Sequence, residues 1–150
     1  MFVSSSGGHL SELLKLEKLF DKYNYVLVTE KTDSNSNLSK KYNTEYLVYG
    51  SRQYLFKYIF IFIFNAIKSI YLIIKYRPKT IVSTGAHTGG IVCLLGKIFG
   101  SKIIYIETLA MVESLSVTGK NLYKFADKFY VQWEELANKY SKAEYIGRLI

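Results

Sequence analysis

The stretch TIVSTGAHTGGIVCLLGKIF, residues 80–99, decides the fold of this 150-residue chain. Residues 80–83 predict a strand, Gly85 marks a turn, and the apolar pattern that continues to Phe99 predicts a helix. A further apolar run, KIIYI at residues 102–106, predicts the next strand. Because a strand, a crossover helix and a second strand form the repeating unit of a parallel sheet, this stretch predicts the α/β class.

The same alternation continues on both sides of this unit. Further strands are predicted at residues 2–5, 25–29, 45–49, 128–131 and 145–147. Helices are predicted after Gly7 and Gly8, from Tyr54 to Tyr76, and at residues 117–126 and 133–140. The strands are largely continuous apolar runs, which is typical of a parallel sheet covered on both faces. The sequence therefore predicts a single domain, residues 1–150, with a Rossmann-like parallel sheet and helices on both faces.

Composition limits the functional classes. Hydrophobic residues make up 49% of the chain and aromatic residues 16%, which excludes a disordered tail or a low-complexity linker. The single cysteine, Cys93, excludes an internal disulfide framework and a cysteine-based zinc site. The two histidines have no accompanying carboxylate cluster, so no metal site is predicted. One cysteine and the lack of a signal-like leader are typical of a protein of the reducing cytosol.

The formal net charge is +8, from 20 Lys and Arg against 12 Asp and Glu. This surplus favours anionic partners such as phosphorylated substrates and acidic lipid headgroups, although a lysine-rich composition explains part of it equally well. Three of the cations, Arg52, Arg77 and Arg148, are arginines, whose forked guanidinium group is the usual reader of base edges. We therefore expect no nucleic-acid partner.

Polar and glycine-rich segments follow three of the predicted strands. They are residues 4–9, residues 85–90, and the pair Glu107 and Thr108. Because the carboxyl ends of parallel strands meet at one edge of a sheet, and ligands bind at that edge, we expect the functional site there.

The first of these segments, SSSGGH at residues 4–9, bends from a strand into a helix. Glycines let a backbone approach a ligand closely and the free N–H groups of a helix start attract phosphate, so Ser6, Gly7 and Gly8 are candidate phosphate contacts. A tight turn with Ser6 as the helix N-cap explains the same pattern without a ligand. His9 favours the ligand, because an imidazole near the strand ends can take a proton from a sugar hydroxyl, with an inert histidine as the alternative.

The second segment repeats this arrangement with Gly85, His87, Thr88 and Gly89. Both histidines of the chain thus stand beside glycines at strand-to-helix turns. This coincidence favours a shared pocket, with chance placement as the alternative.

The third segment begins with Glu107, which follows five mostly apolar residues. A carboxylate at the end of a buried strand is costly unless it is solvated, paired or used on a ligand. Glu107 is therefore a candidate to bind sugar hydroxyls or to share the role of base with His9, with Thr108 beside it. A helix-capping or salt-bridged glutamate is the alternative.

The segment Tyr54–Tyr76 predicts an apolar, aromatic-rich helix with a narrow stripe formed by Lys57, Lys68 and Lys75. Its uncharged run, residues 58–67, is too short for the ~20 residues that a spanning helix needs. A buried core helix is one interpretation. The other is a helix lying in a membrane interface, because its apolar surface exceeds what one core-facing side requires. In that case the candidate membrane contacts are the rings of Phe56, Phe60, Phe62 and Phe64.

Several motifs together resemble one known family. They are SGGH at residues 6–9, STGAHTGG at 83–90, IETLA at 106–110, SLSVTGK at 114–120, VQW at 131–133 and YIGR at 145–148. The chain resembles the acceptor-side subunits of split GT-B glycosyltransferases. These include the membrane-anchor subunit of the eukaryotic UDP-GlcNAc transferase of dolichol-linked oligosaccharide synthesis and bacterial capsule or exopolysaccharide subunits. It is similar, more distantly, to the N-terminal half of the transferase MurG.

The resemblance implies a domain equivalent to the N-terminal half of a GT-B enzyme, active only with a UDP-sugar-binding catalytic subunit. It implies transfer to a polyprenyl-pyrophosphate-linked sugar in capsule or exopolysaccharide synthesis, at the cytoplasmic face of the membrane, by an inverting reaction without metal or cofactor. By this analogy His9 is the candidate base and Gly7 and Gly8 lie against phosphate. The segment Gly85–Gly90 matches the second acceptor loop, and Glu107 matches an acceptor-site carboxylate.

Two other functions fit the residues alone. The Gly7-Gly8 turn is compatible with a self-contained Rossmann-like enzyme that binds a nucleotide sugar by itself. A membrane scaffold without catalytic residues is compatible with the apolar helix and would make the glycine turns purely structural.

Overall fold

The structure, a computed structural model, describes residues 1–50 and 55–149. In the helix that begins at Leu55, the side chains of Leu55 and Lys57 are outside this description. The predicted helix start at Tyr54 also lies outside the described residues.

Strands and helices alternate along the described chain. The strands are β1 (Phe2–Ser4), β2 (Leu27–Lys31), β3 (Thr44–Val48), β4 (Thr80–Gly85), β5 (Lys102–Ile106), β6 (Lys128–Val131) and β7 (Ala143–Tyr145). The α-helices are α1 (Gly8–Leu14), α2 (Leu55–Tyr76), α3 (His87–Ile98), α4 (Val117–Leu122) and α5 (Glu134–Lys139). Short 3-10 helices at Glu17–Lys22, Asp33–Asn35 and Leu38–Lys40 connect the first three strands.

The seven strands form one sheet in the order β3-β2-β1-β4-β5-β6-β7, and every neighbouring pair is parallel. This arrangement confirms the predicted fold class. The chain builds outward from β1 to β3 and then crosses back to β4 on the other side of β1. The strand order thus reverses between β1 and β4, which is where ligands bind in open α/β sheets.

Some predicted boundaries were wrong. The apolar pattern Leu10, Leu13, Leu14, Leu16 and Leu19 predicts one helix, but the helix ends at Leu14 and a separate 3-10 helix, Glu17–Lys22, follows and places Phe20 in the core. The fourth helix ends at Leu122, four residues before the predicted end, and β7 lies two residues earlier than predicted. In the polar segment after β2, Thr32 and Asn35 form a capping box around the 3-10 helix Asp33–Asn35.

The two faces of the sheet have separate cores. One face packs strand residues against α2 to α5, and its buried members include Val3, Val28, Ile81, Ile103, Tyr105, Phe129, Val131, Leu72, Val92, Cys93, Leu122 and Leu136. The other face packs Phe2 and Leu27 against Leu13 of α1 and Phe20. Neighbouring residues of a strand point to opposite faces, so Phe2 and Val3 belong to different cores.

Helix α2 is fixed to the edge of the sheet by its middle. The buried Asn65 side chain accepts a hydrogen bond from the Val48 backbone N–H (2.9 Å) and donates one to the Val48 carbonyl (2.7 Å), so its amide pairs with the edge strand β3 as another strand would. Ser69 donates to the Asn65 carbonyl at 2.6 Å. Near the end of the helix, Lys75 and Tyr76 both donate to the Glu45 carboxylate of β3.

Replacing Asn65 tests this attachment. Asn65→Ala is expected to lower the free energy of unfolding by about 2 kcal/mol, because two hydrogen bonds are lost and both polar groups of Val48 lose their partner. Urea denaturation measures the change. The exposed Asn138→Ala on α5 is the control and should stay within about 0.5 kcal/mol of the wild type. Equal stability of both variants would show that Asn65 does not hold the helix.

Candidate functional site

The two glycine turns lie side by side at the point where the strand order reverses. The Ser5 backbone N–H donates to the Gly85 carbonyl at 2.8 Å, and the Ala86 N–H donates to the Ser5 hydroxyl at 3.1 Å. Gly7 and Gly85 have φ angles of 79° and 95°, a left-handed conformation that favours glycine. The sequence prediction that both turns meet at one sheet edge is therefore matched by direct contacts between them.

His9 is held at this edge in a defined tautomer. Its Nδ1 lies 2.8 Å from the Thr84 carbonyl oxygen, which can only accept, so Nδ1 carries the proton and Nε2 is the basic nitrogen. The Thr84 hydroxyl donates in turn to the His9 carbonyl at 2.7 Å. Within residues 1–50 and 55–149, Nε2 has no hydrogen-bond partner, and the side chain is half-buried. The geometry thus leaves Nε2 as a proton acceptor without a partner among the described residues at this edge of the sheet.

A buried carboxylate that the sequence analysis missed joins the two turns. Glu30, at the end of β2, accepts hydrogen bonds from the Thr88 hydroxyl and, more weakly, from the Ser6 hydroxyl (3.3 Å) and N–H (3.4 Å). The hydroxyls of Ser6 and Thr88, both predicted to bind the acceptor, are thus engaged within the protein. The same signal that selected Glu107, a glutamate ending an apolar strand, would have found Glu30.

The alternative of Ser6 as the N-cap of α1 was wrong. The cap position is occupied by Gly7, and no side chain of the described residues caps the helix start. Ser6 instead points toward Glu30, which leaves the predicted phosphate contact at Gly7 and Gly8 to the backbone.

Glu107 is fully buried and surrounded by donors. One carboxylate oxygen accepts from the Thr108 N–H (3.0 Å), and the other accepts from the Ser116 N–H (3.0 Å) and hydroxyl (3.1 Å). A Cβ on Gly119 would lie 2.0 Å from that second oxygen, so only glycine fits there. Burial raises the pKa of the Glu107 carboxyl, and the hydrogen bonds from Ser116 and Thr108 oppose this shift. Glu107 thus holds residues 108–116 against the start of α4, where the Ser116 side chain, and not Glu107, caps the helix.

Thr108 is also engaged within the protein. Its hydroxyl donates to the buried Glu12 carboxylate at 2.7 Å, and the side chain is 8% exposed. Glu12 lies three residues after His9 in α1 and was missed by the sequence analysis, because it stands inside a helix rather than at a strand end.

His87 lies on the other side of the second turn, beside α2. Its ring is 6.5 Å from that of Tyr58, measured between centroids, in an edge-on arrangement. Together with Glu30, Thr88, Phe62 and Asn65, these residues line a small cleft between the turn and the helix. The two histidines therefore have different neighbours, His9 on Thr84 and His87 on α2.

The aromatic candidates on α2 are strongly exposed. Phe56 is 84% exposed and Phe60 73%, and Phe62 and Phe64 are about half exposed. No described side chain between residues 56 and 64 is buried, whereas Asn65, Ser69, Leu72 and Ile73 are. The helix runs antiparallel to the strands, so its bare first half lies at the same sheet edge as the glycine turns, where Tyr58 meets His87.

The described residues, taken over both ranges, contain no group of three or more His, Cys, Asp or Glu placed to hold a metal ion.

Comparison with known proteins gives a consistent assignment. Residues 1–149 match the family described as "Oligosaccharide biosynthesis protein Alg14 like". The UDP-N-acetylglucosamine transferase subunit alg14 of Schizosaccharomyces pombe is 36% identical over 168 residues, which cover 95% of this chain and 79% of that protein. The corresponding mouse subunit is 31% identical, covering 100% of this chain and 82% of the mouse protein.

Solved structures show the same fold at low identity. MurG of Acinetobacter baumannii aligns with a TM-score of 0.68 and 13% identity, over 89% of this chain and 42% of MurG. UDP-N-acetylglucosamine 2-epimerase of Rickettsia bellii aligns with a TM-score of 0.72 and 15% identity, over 99% of this chain and 44% of the epimerase. The chain thus spans less than half of each of these larger proteins.

The raised pKa of Glu107 predicts a pH dependence. A carboxyl whose pKa is raised above its ordinary 4.5 by folding stabilises the protein below that pH, and this contribution is lost as the pH rises through the folded-state pKa. The free energy of unfolding of the wild type, taken relative to Glu107→Gln, should therefore fall as the pH increases above 4.5. Urea denaturation of both proteins between pH 4 and 8 measures this difference. A difference that rises with pH would contradict the assigned direction.

Proposed function

The chain belongs to the Alg14-like family of oligosaccharide biosynthesis proteins, and from this membership we propose that it is the acceptor-side subunit of a two-component UDP-N-acetylglucosamine transferase. A separate subunit binds the UDP-sugar, and this chain holds a polyprenyl-pyrophosphate-linked sugar acceptor at the membrane. The relatives named as transferase subunits support the existence of a second subunit. We extend the proposal to capsule or exopolysaccharide assembly on the resemblance described above.

One observation carries this proposal. The bare aromatic half of α2 lies at the same sheet edge as the glycine turns and His9, with Tyr58 in contact with His87. A lipid-linked sugar needs both an apolar surface for its membrane-embedded part and a polar site for its hydroxyl. The described fold brings these two surfaces together at one edge.

The orientation of His9 supports a role as general base. As the acceptor hydroxyl oxygen attacks the anomeric carbon of the UDP-sugar, Nε2 takes the hydroxyl proton, and the bond to UDP breaks with its electron pair leaving on UDP. The Thr84 carbonyl accepts from Nδ1–H and stabilises the imidazolium that forms. Attack opposite the leaving group inverts the anomeric centre. Glu107 is assigned to holding residues 108–116 in place, since its oxygens already accept four internal hydrogen bonds, including a long one from Tyr105.

Substitution of His9 tests the catalytic role. In the complex with the UDP-sugar-binding subunit of the same organism, His9→Ala should lower kcat by roughly 10²- to 10⁴-fold, the usual cost of removing a general base. Transfer from UDP-N-acetylglucosamine to vesicle-bound undecaprenyl-pyrophosphoryl-N-acetylglucosamine measures the rate. Ser11→Ala, an exposed change on the same helix, is the control and should retain wild-type transfer. A non-catalytic scaffold would tolerate both changes equally.

Measurements on the isolated chain distinguish a transferase subunit from a self-contained enzyme. Titration calorimetry with UDP-N-acetylglucosamine should show no tight binding to this chain alone, and transfer should appear only with the second subunit. Full transfer by the isolated chain would contradict the proposal.

The membrane contact is assigned to the first half of α2. The segment Tyr58–Tyr76 is long and apolar enough to cross a bilayer, but Leu72 and Ile73 lie in the core and Asn65 is bonded to β3, so the second half cannot leave the domain while it is folded. The bare residues 56–64 extend roughly 13 Å at 1.5 Å per residue. One leaflet contributes about half of the ~30 Å hydrocarbon core, so this length fits within one leaflet. We therefore propose a monotopic protein whose sheet edge with His9 lies toward the bilayer. The cytoplasmic face is the side that the resemblance implies.

Charge substitutions test this orientation. The pair Phe60→Glu and Phe64→Glu should release the chain from vesicles of phosphatidylethanolamine and phosphatidylglycerol, because two carboxylates would enter the hydrocarbon region. Co-sedimentation measures binding, and circular dichroism confirms that the variant is folded. The matched control is Ile98→Glu, which is 78% exposed at the end of α3 at the opposite sheet edge and should leave binding unchanged. Release by Ile98→Glu would instead indicate that the helices lie flat on the membrane.

A further inference from the structure

We propose that Glu12 is a positioning residue that fixes the segment 107–116 relative to His9. The inference rests on the proposed function, since it concerns the geometry of that site. Glu12 is buried in α1, three residues after His9, and it contacts chain segments about one hundred residues away in sequence.

The Glu12 carboxylate collects three donors from two different strand ends. One oxygen accepts from the Thr108 hydroxyl (2.7 Å) and the Leu109 N–H (3.1 Å), and the other accepts from the Gln132 side-chain amide (3.3 Å). Gln132 also donates to the Glu107 carbonyl at 3.0 Å. None of the ion pairs among the described residues involves Glu12, so these dipoles alone compensate its burial.

These contacts tie the turn after β5 to the helix that carries the proposed base. His9 is hydrogen-bonded to Thr84 of β4, and Glu12 accepts hydrogen bonds from Thr108 and Leu109, which follow β5. Helix α1 therefore acts as a rigid spacer between the base and the segment 107–116. Misplacement of a catalytic group by about 1 Å costs roughly 10²-fold in rate, so such a spacer bears directly on turnover.

The structure also provides a spectroscopic reporter of this geometry. Trp133, the single tryptophan of the chain, donates from its indole N–H to the Leu109 carbonyl at 2.7 Å. Leu109 thus bonds to Glu12 through its N–H and to Trp133 through its carbonyl. A change in the position of residues 108–110 alters the indole environment, which tryptophan emission detects.

The test compares Glu12→Ala and Glu12→Gln in the complex with the UDP-sugar-binding subunit, with the same UDP-sugar and vesicle-bound acceptor as above. Glu12→Ala should lower kcat/KM for the lipid acceptor by roughly 10²-fold and leave the KM for UDP-N-acetylglucosamine unchanged. It should also speed hydrogen exchange at the Leu109 amide and shift Trp133 emission to the red. Glu12→Gln retains a carbonyl oxygen for Thr108 and Leu109 and should restore activity to within about tenfold of the wild type.

Asp127→Ala is the matched control for a merely structural carboxylate. Asp127 also holds a strand, accepting from the Ile103 N–H at 2.7 Å and pairing with Lys97, but it does so at the amino-terminal end of β5. Its loss should lower stability without changing the acceptor KM or Trp133 emission.

Two results would overturn the inference. The first is wild-type kcat and acceptor KM in a Glu12→Ala variant whose Leu109 amide exchanges faster. The second is an equal loss toward both substrates that follows stability as in Asp127→Ala. If Glu12→Ala does not fold, Glu12→Met decides, because it fills similar space but offers no acceptor to Thr108 and Leu109. Wild-type acceptor kinetics together with wild-type Trp133 emission in Glu12→Met would overturn the inference. A wild-type complex that transfers no sugar contradicts the proposed function itself, whereas an active complex insensitive to Glu12 contradicts only this inference.

Discussion

The shape of the candidate site depends on three buried carboxylates that form no ion pair among the described residues. Glu12, Glu30 and Glu107 lie at the carboxyl edge of the sheet, and no ion pair in the described ranges involves any of them. A buried carboxylate must be compensated by hydrogen-bond donors, and here the donors come from neighbouring turns. Glu30 thus joins the two glycine turns, Glu12 joins α1 to the turn after β5, and Glu107 closes residues 108–116 onto α4. The same requirement that stabilises these groups fixes the shape of the site.

Much of the fold could be predicted from the sequence, because strands and crossover helices leave local patterns. The runs around residues 80–106 identified the parallel sheet, and the carboxyl-edge rule placed both glycine turns together. The site was less predictable. The donors to Glu30 and Glu12 lie 24 to 120 residues away, so no local pattern showed that the hydroxyls of Ser6, Thr88 and Thr108 were already engaged. Glu107 was selected from the sequence as a candidate site residue, but its internal partners became visible only in three dimensions.

The sequence did not decide whether helix α2 is a core helix or a surface helix, because its two halves have different environments. Its second half contributes Leu72 and Ile73 to the core, and its first half exposes Phe56 and Phe60. The hydrophobic periodicity of the whole segment averages over both halves. It therefore does not distinguish the half that packs in the core from the half whose apolar side chains are exposed. The second half of α2 thus agrees with the core interpretation, whereas the membrane-interface interpretation of the exposed first half stays a prediction.

The Asn65 side chain that attaches α2 to Val48 has a consequence for self-association. By occupying both hydrogen-bonding groups of Val48, it blocks that position of the outer strand β3 against strand addition from another molecule. The opposite outer strand, β7, has three residues and carries Glu144, which pairs with Lys128. Short, charged or covered edges of this kind discourage polymerisation by sheet extension. The exposed apolar side chains of α2 are one possible cause of aggregation in solution. The protected strand edges remove sheet extension as a second cause.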